Sequence, residues 1–331
     1  MLKYLIILLD DTSVSYCQCD NDKTKKNLMP LECLKEGVLF GMKENLMIQF
    51  VYPDYALPQE YKDVINGVDH CDIVSSRCED RQLLDKAEIV VFHAIKEMKA
   101  YTVKDTGIYT VRISKDELFA ECQSLGEVVK TAKRINVVIT DIDKFTEADY
   151  RQYKDTLQYL GSVLKDLFAR GLSPQLNILT DRMQLDGMNN CNAGYENITV
   201  APDGKFYVCP AFYYSNVIEG NEDTVGDICQ KGFSVGSLEK GLNVKNPQLY
   251  EVSHAPLCRN CDAYQCKRCV WLNRKTTFEV NTPSHEQCVV AHLERNASRQ
   301  LLADIRTLGS FCPGKEIKEI DYLDPFDVRK R

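Results

Sequence analysis

Four cysteines fall within twelve residues, in the spacing Cys258-x2-Cys261-x4-Cys266-x2-Cys269, and Cys288 follows after eighteen more. Two thiolates two residues apart can both turn inward around one tight loop and share a metal, with backbone amides facing the sulfurs. Upstream, Cys191 precedes and Cys209 closes a stretch, Asn197 to Cys209, that reads as a β-hairpin. Two alternating runs there flank Pro202-Asp203-Gly204, where Pro presets φ and Gly accepts φ > 0. Folding that hairpin back brings Cys191 and Cys209 to one place. Seven organised thiols are more than one tetrahedral centre uses.

Two metals compete for such a set. Zinc takes four thiolates in a closed tetrahedron, and its two-knuckle forms separate their C-x2-C pairs by ~15–20 residues. Only four residues intervene here. Iron–sulfur clusters are also held by cysteine thiolates, and close spacing is their usual signature. The spacing favours iron–sulfur and leaves zinc as the alternative metal. Weaker ligand candidates are the C-x-C pair Cys17 and Cys19 after the first strand, and Cys229 in a Gly-rich connection. His254 and His285 lie near the cysteines, as substitute ligands or as loop residues. Cys33, Cys71, Cys78 and Cys122 read as small apolar fillers; Cys312 and the basic end Arg329-Lys330-Arg331 carry no evident chemistry. The strand-end residues Asp54, His93, Asp141 and Asp143 read as caps and a half-buried imidazole.

The 331 residues include 15 cysteines, an odd number, nine of them after residue 190. An odd count with no export signal argues against a secreted disulfide scaffold. The composition, 44% apolar and 27% charged, is that of a globular protein. With 41 basic against 48 acidic side chains, the net charge of −7 argues against a nucleic-acid grip. No apolar run approaches the ~18 residues of a membrane span. Tyr4–Leu9 is too short for a signal-peptide core. The expected location is cytoplasmic, with no nucleic-acid or membrane partner.

These ligands need a scaffold. Residues 1–185 alternate apolar runs with amphipathic stretches. Strands are predicted at Tyr4–Leu9, Leu46–Tyr52, Glu88–Phe92, Ile108–Ile113, Asn136–Thr140 and Gln175–Leu179, and helices near 31–44, 59–66, 79–86, 115–133 and 146–170. Continuous apolarity suits strands covered on both faces, and the alternation implies a parallel sheet. Thr146 and Asp149 form a capping-box start, and Gly171 supplies a left-handed exit. Both an open doubly wound sheet and an incomplete barrel of six β/α units fit, with function at the carboxyl edge of the strands. No glycine-rich phosphate loop follows the first strand. A helix is predicted from Leu293 to Leu308, packing on the barrel.

Cys191, Gly204, Cys209, the Cys258–Cys269 quartet and Cys288 fall in an order that resembles the SPASM domain. That domain is the auxiliary-cluster module of radical S-adenosylmethionine (SAM) enzymes that modify peptides. In the quartet the last two gaps are each one residue shorter than the usual C-x2-C-x5-C-x3-C. The whole chain, through Asp11-Thr12-Ser13-Val14-Ser15-Tyr16-Cys17, is most similar to the maturases of CXXX-repeat peptides. The resemblance implies an α/β fold: a partial (β/α)6 barrel over residues 1–185, a small cysteine-rich SPASM-like domain over 186–290, and a C-terminal helix and tail over 291–331. It implies an outer [4Fe–4S] cluster on Cys258, Cys261, Cys266 and Cys288, and an inner one on Cys191, Cys209 and Cys269. Where some members have a fourth inner ligand, this chain has Leu185. The inner cluster then has an open iron or recruits another ligand such as Cys229. The function implied is a peptide maturase acting on a cysteine-containing ribosomal precursor. The C-x3-C-x2-C motif that holds the SAM cluster in the family is absent, and Phe50-Val51-Tyr52-Pro53-Asp54 stands where the family has Gly-Gly-Glu. A non-catalytic peptide-binding or escort protein, working with a partner modification enzyme, is therefore the alternative.

Overall fold

Four successive buried residues, Leu5 to Leu8, put strand β1 (Tyr4–Leu8) at the heart of the molecule. The computed structural model describes residues 2–101, 107–186, 190–215, 233–266, 268–309 and 311–317. After β1 come helix α1 (Leu31–Lys43), β2 (Met47–Val51), α2 (Gln59–Asn66), β3 (His70–Ser75), α3 (Arg81–Lys86), β4 (Ile89–Phe92), α4 (Ile95–Ala100) and β5 (Ile108–Ile113). Helices α5 (Lys115–Ala120) and α6 (Cys122–Val129), β6 (Arg134–Ile139), α7 (Glu147–Ala169) and the short β7 (Gln175–Leu176) complete the repeat. Neighbours from β1 to β7 pair in parallel, in sequence order.

Alternate residues of these strands serve two cores. Leu5, Ile7, Ile48, Phe50, Val74, Val90 and Val111 face the helices. Ile6, Leu8, Val51, Ile73 and Val91 face the opposite side, where the segment from Ala193 to Tyr214 covers them. Both faces are dry, which explains the unbroken apolar runs. Helix α1 sits so close that a Cβ on Gly41 would stand 2.9 Å from Ile48 Cδ1.

The cysteine-bearing half adds to the same sheet. Strand β8 (Asn197–Val200) runs parallel to β1, with Tyr4 opposite Asn197 and Ile7 opposite Val200. Strand β9 (Lys205–Tyr207) returns antiparallel to β8 around the expected turn, Gly204 taking φ +72°. Strands β10 (Ser234–Ser237) and β11 (Gly241–Leu242) extend it, giving the order β11-β10-β9-β8-β1-β2-β3-β4-β5-β6-β7. The sheet does not close on itself, so the architecture is a partial β/α barrel whose sheet runs on into the cysteine-rich half. Helices α8 (Pro210–Tyr214), α9 (Val270–Thr277) and α10 (His285–Arg306) follow.

Several expectations change. Strand β3 was not anticipated, because its polar residues His70, Cys71 and Asp72 break the apolar run. The stretch 115–133 is two helices meeting at Glu121 rather than one. Strand β7 stops at Leu176, where Thr180 Oγ1 and the turn beyond it take over the backbone bonds. Helix α10 starts at His285, capped by Ser284, so it carries Cys288 as well as the apolar stripe that packs on α7. The Thr146–Asp149 capping box and the left-handed Gly171 are as expected. Among the described residues no helix is long and apolar enough to cross a membrane.

Candidate metal centre

The loop after β1 is braced before it reaches its cysteines. Asp10 is fully buried and accepts from Thr12 N, Thr12 Oγ1, Asn27 N and Tyr55 Oη at 2.6–2.9 Å. Four donors on one carboxylate explain its burial and give it a structural job. Ser13 Oγ donates to the Val51 carbonyl at 2.8 Å. Arg112, near the end of β5 and almost wholly buried, then takes hold of the loop. Its Nε donates to the Cys17 carbonyl at 2.7 Å, and its Nη2 to the Cys19 carbonyl at 2.9 Å and to Asp20 Oδ1 at 2.7 Å.

Cys209 and Cys269 are the N-caps of α8 and α9. The Cys269 sulfur accepts from Leu272 N at 3.5 Å, and its own amide donates to Gln287 Oε1 at 3.3 Å. Cys191 sits where the chain turns into β8, with its carbonyl taking the Asn197 amide. Pairing of β8 with β1 therefore sets Cys191 and Cys209 beside the first loop. Burial pushes the Cys17 and Cys209 thiols well up, and nearby charge adds to it: Cys19, Cys269 and Cys191 at Cys17, and Cys17, Cys269 and Cys191 at Cys209. Burial, with Cys191 adding to it, brings Cys269 to about 12. We call this group the inner nest.

Cys258, Cys261, Cys266 and Cys288 line one cavity with His292 and Arg268, forming an outer nest. Helix α10 holds it from behind. Arg295 Nη1 donates to Asp262 Oδ1 at 2.6 Å, and Arg182 Nη2 meets Glu294 Oε2 at 2.6 Å with neither side chain more than 1% exposed. The same Arg182 reaches the Gln265 carbonyl at 3.4 Å, beside Cys266. Burial lifts Cys258 to about 11 and Cys266 higher still.

These thiols suit a thiolate-bound metal in two ways. The Cys261 sulfur accepts from Ala263 N at 3.4 Å and the Cys269 sulfur from Leu272 N at 3.5 Å, while the backbone near Ala193 and Ala211 draws down the thiols of Cys191 and Cys209. Such bonds orient a sulfur and spread its negative charge. Second, Arg268 is 2% exposed and stands between the nests, drawing down the thiols of Cys191, Cys258 and Cys269, while its Nε and Nη2 find no partner. Its Nη1 reaches the Tyr250 carbonyl at 3.4 Å, and a buried guanidinium with its other two nitrogens unpaired fits an anionic neighbour on either side. The residues fit a pair of iron–sulfur clusters, anionic with their thiolate ligands.

A single zinc ion fits less well. Zn–S bonds of ~2.3 Å place tetrahedral sulfurs about 3.8 Å apart. Among the described residues, the one group of three or more such side chains with ligand atoms all within 4.8 Å is Cys261, Asp262 and His292. Its carboxylate already pairs with Arg295. His254 pairs instead with Glu251, and His285 packs edge-on against Tyr150, so neither enters a nest. Cys229 lies outside the described residues. The cysteine spacing does not single out His292, Arg268 or Arg112; only His292 leaves a signal, four residues after Cys288 on one helix face.

Above the strand ends lies a cavity of about 270 Å³ lined by Ser13, Asp20, Lys23, Asp54, His93 and Arg112, among others. Burial, helped by Arg77 and Arg112, keeps His93 below its ordinary pKa. The adjoining loop offers only Cys17 and Cys19, held by Arg112, so these residues do not fit a three-thiolate SAM cluster.

Solved structures share this architecture. Native anSMEcpe with bound AdoMet (SAM) and a Cp18Cys peptide superposes with TM-score 0.58 at 11% identity, over 93% of this chain and 100% of that one. Its complex with AdoMet and a Kp18Cys peptide gives 0.59 at 13% identity, over 92% and 99%. This chain has the fold of anSMEcpe. The match to anSMEcpe takes in nearly the whole of both chains, so it is not confined to the barrel. No family model matches the sequence. No curated protein matches it either.

Proposed function

We propose that this chain is a peptide maturase of radical SAM/SPASM type that acts on a cysteine-containing ribosomal precursor and carries two auxiliary [4Fe–4S] clusters. The observation that carries this reading is the pair of thiol nests astride the buried Arg268, whose Nε and Nη2 have no hydrogen-bond partner. The outer cluster would be held by Cys258, Cys261, Cys266 and Cys288, the inner by Cys191, Cys209 and Cys269. When bound, such clusters supply a one-electron acceptor within reach of a substrate radical. The chain's own residues give dryness, fixed thiol positions and a buried positive charge. A peptide partner is supported by the Cp18Cys and Kp18Cys peptides bound to anSMEcpe.

One observation favours a second reading. The loop that would start SAM chemistry has two thiols and is closed onto Arg112. That suits an escort, which binds the precursor for a partner enzyme and cleaves nothing. Incubating the anaerobically reconstituted protein with AdoMet, a strong reductant and a cysteine-containing peptide separates the two. Formation of 5′-deoxyadenosine supports the maturase. Intact clusters that produce none leave the escort.

A further inference from the structure

The inner nest, read from the C-terminal half alone, is one thiol short, and Leu185 stands where a fourth ligand would precede Cys191. We propose that Cys17, from the loop after β1, is that fourth ligand, completing the set with Cys191, Cys209 and Cys269. This rests on the two-cluster reading above.

Three observations converge on Cys17. Its loop is laced to the segments that carry the other ligands: Tyr213 bonds Asp11, Tyr214 Oη donates to the Val14 carbonyl at 3.5 Å, and Trp271 Nε1 donates to Ser215 Oγ at 3.0 Å. These contacts tie Asp11 and Val14 to Tyr213 and Tyr214, and Ser215 beyond them to Trp271, while farther along the loop the Cys19 sulfur lies 3.8 Å from the Ala211 carbonyl. Arg112 then fixes the direction of the loop through the Cys17 and Cys19 carbonyls. Finally, the two loop thiols are used differently. Cys19 donates its S–H to the Asp20 carbonyl at 3.0 Å and reaches the Ala211 carbonyl at 3.8 Å, and both bonds need the proton. Cys17 feels Cys19 and then Cys269 and Cys191, and it is felt by Cys209, whereas Cys19 feels Cys269 alone of the inner thiols. On binding iron it would give up its proton and donate a sulfur lone pair, as each thiolate ligand does.

The consequence is specific. A loop that no longer carries a three-thiolate motif lends one sulfur to the neighbouring site. The inner cluster then has four protein ligands and no open iron for a substrate thiolate. Its role is confined to electron transfer and to tying the barrel to the cysteine-rich half.

The test uses the full chain, reconstituted anaerobically with ⁵⁷Fe and sulfide, with iron counts, Mössbauer and electron paramagnetic resonance spectra. Wild type should hold about eight irons in two four-iron clusters. Cys17→Ala should drop to about four to seven, with the inner cluster lost or converted to a three-iron form and the outer spectrum unchanged. Cys17→Ser should keep both clusters but shift the inner resonance. Cys19→Ala and Cys229→Ala should match wild type. Unaltered spectra in Cys17→Ala, the same change in Cys19→Ala or Cys229→Ala, or loss of both clusters in Cys17→Ser would overturn the assignment. A wild-type chain without iron–sulfur clusters overturns the reading beneath it, and is told apart because no variant is then needed.

Discussion

Arg112 Nε lies 2.7 Å from the Cys17 carbonyl oxygen and its Nη2 lies 2.9 Å from that of Cys19, so one side chain from the fifth strand holds both carbonyls of the first loop's C-x-C pair. Removing it strands two carbonyls, at about 1–3 kcal/mol each where they stay dry. Arg112→Ala should therefore cost about 3 kcal/mol in chemical denaturation of the apo chain. Asp20→Asn should cost under about 1 kcal/mol, since the Asp20 side chain is 70% exposed and its ion pair is solvated. Equal costs would show that the grip is electrostatic and not a matter of buried carbonyls.

The Arg182–Glu294 pair behaves as a buried staple between the end of the barrel and α10, and Tyr153 Oη donates to the same carboxylate at 2.6 Å. Glu294→Ala leaves a guanidinium buried without its anion, and should destabilise by about 3–5 kcal/mol. The double variant Arg182→Met with Glu294→Leu should recover most of that loss. A double variant as unstable as the single one would place the cost in packing.

Those two predictions draw on contacts that the sequence does not advertise. Alternating apolar runs and helix caps are local, so β1, β2, the Thr146 cap and the Pro202–Gly204 turn are legible. Strand β3 hides because its polar His70, Cys71 and Asp72 look like a loop. The tail's apolar stripe drew the predicted helix to Leu293, and the cap at Ser284 that starts α10 farther upstream was missed. The thiols could be sorted into candidates by spacing. Their grouping depends on β8 pairing with β1, nearly two hundred residues away, and that register sets Cys17 beside Cys209. Arg112 is a single charge in an ordinary strand and Arg268 is one of two adjacent basic residues inside the last C-x2-C step; burial is what marks both.

His70 offers a pH test away from the nests. Its Nε2 stands 3.3 Å from Asp72 Oδ1, and that partner raises the imidazole to about 9. A folded-state pKa above the unfolded value of about 6.5 gives stability that is complete below pH 6.5 and lost as pH climbs through 9. Wild type minus His70→Gln should therefore shrink by about 1–2 kcal/mol between pH 6 and pH 9.5 in matched denaturation curves. A constant difference would mean that the imidazole titrates alike in the folded and unfolded chain.

Arg268 makes a prediction about potentials. A unit charge roughly 7 Å from a cluster, at an effective dielectric near 20, is worth roughly 2 kcal/mol, or on the order of 100 mV for one electron. Arg268→Met removes the positive charge that favours the added electron. Both cluster potentials should move more negative by that order in redox titration. If only one moves, Arg268 serves one nest and does not bridge the two.

We propose that the sulfurs of this chain gather around two iron–sulfur clusters. Metal and labile-sulfide analysis of the full chain, isolated without oxygen and read alongside its Mössbauer spectrum, tests it most directly. Two nests predict about eight irons and about eight sulfides per chain, with Cys261→Ala or Cys266→Ala losing the outer half. Zinc in stoichiometric amount with no labile sulfide would contradict it.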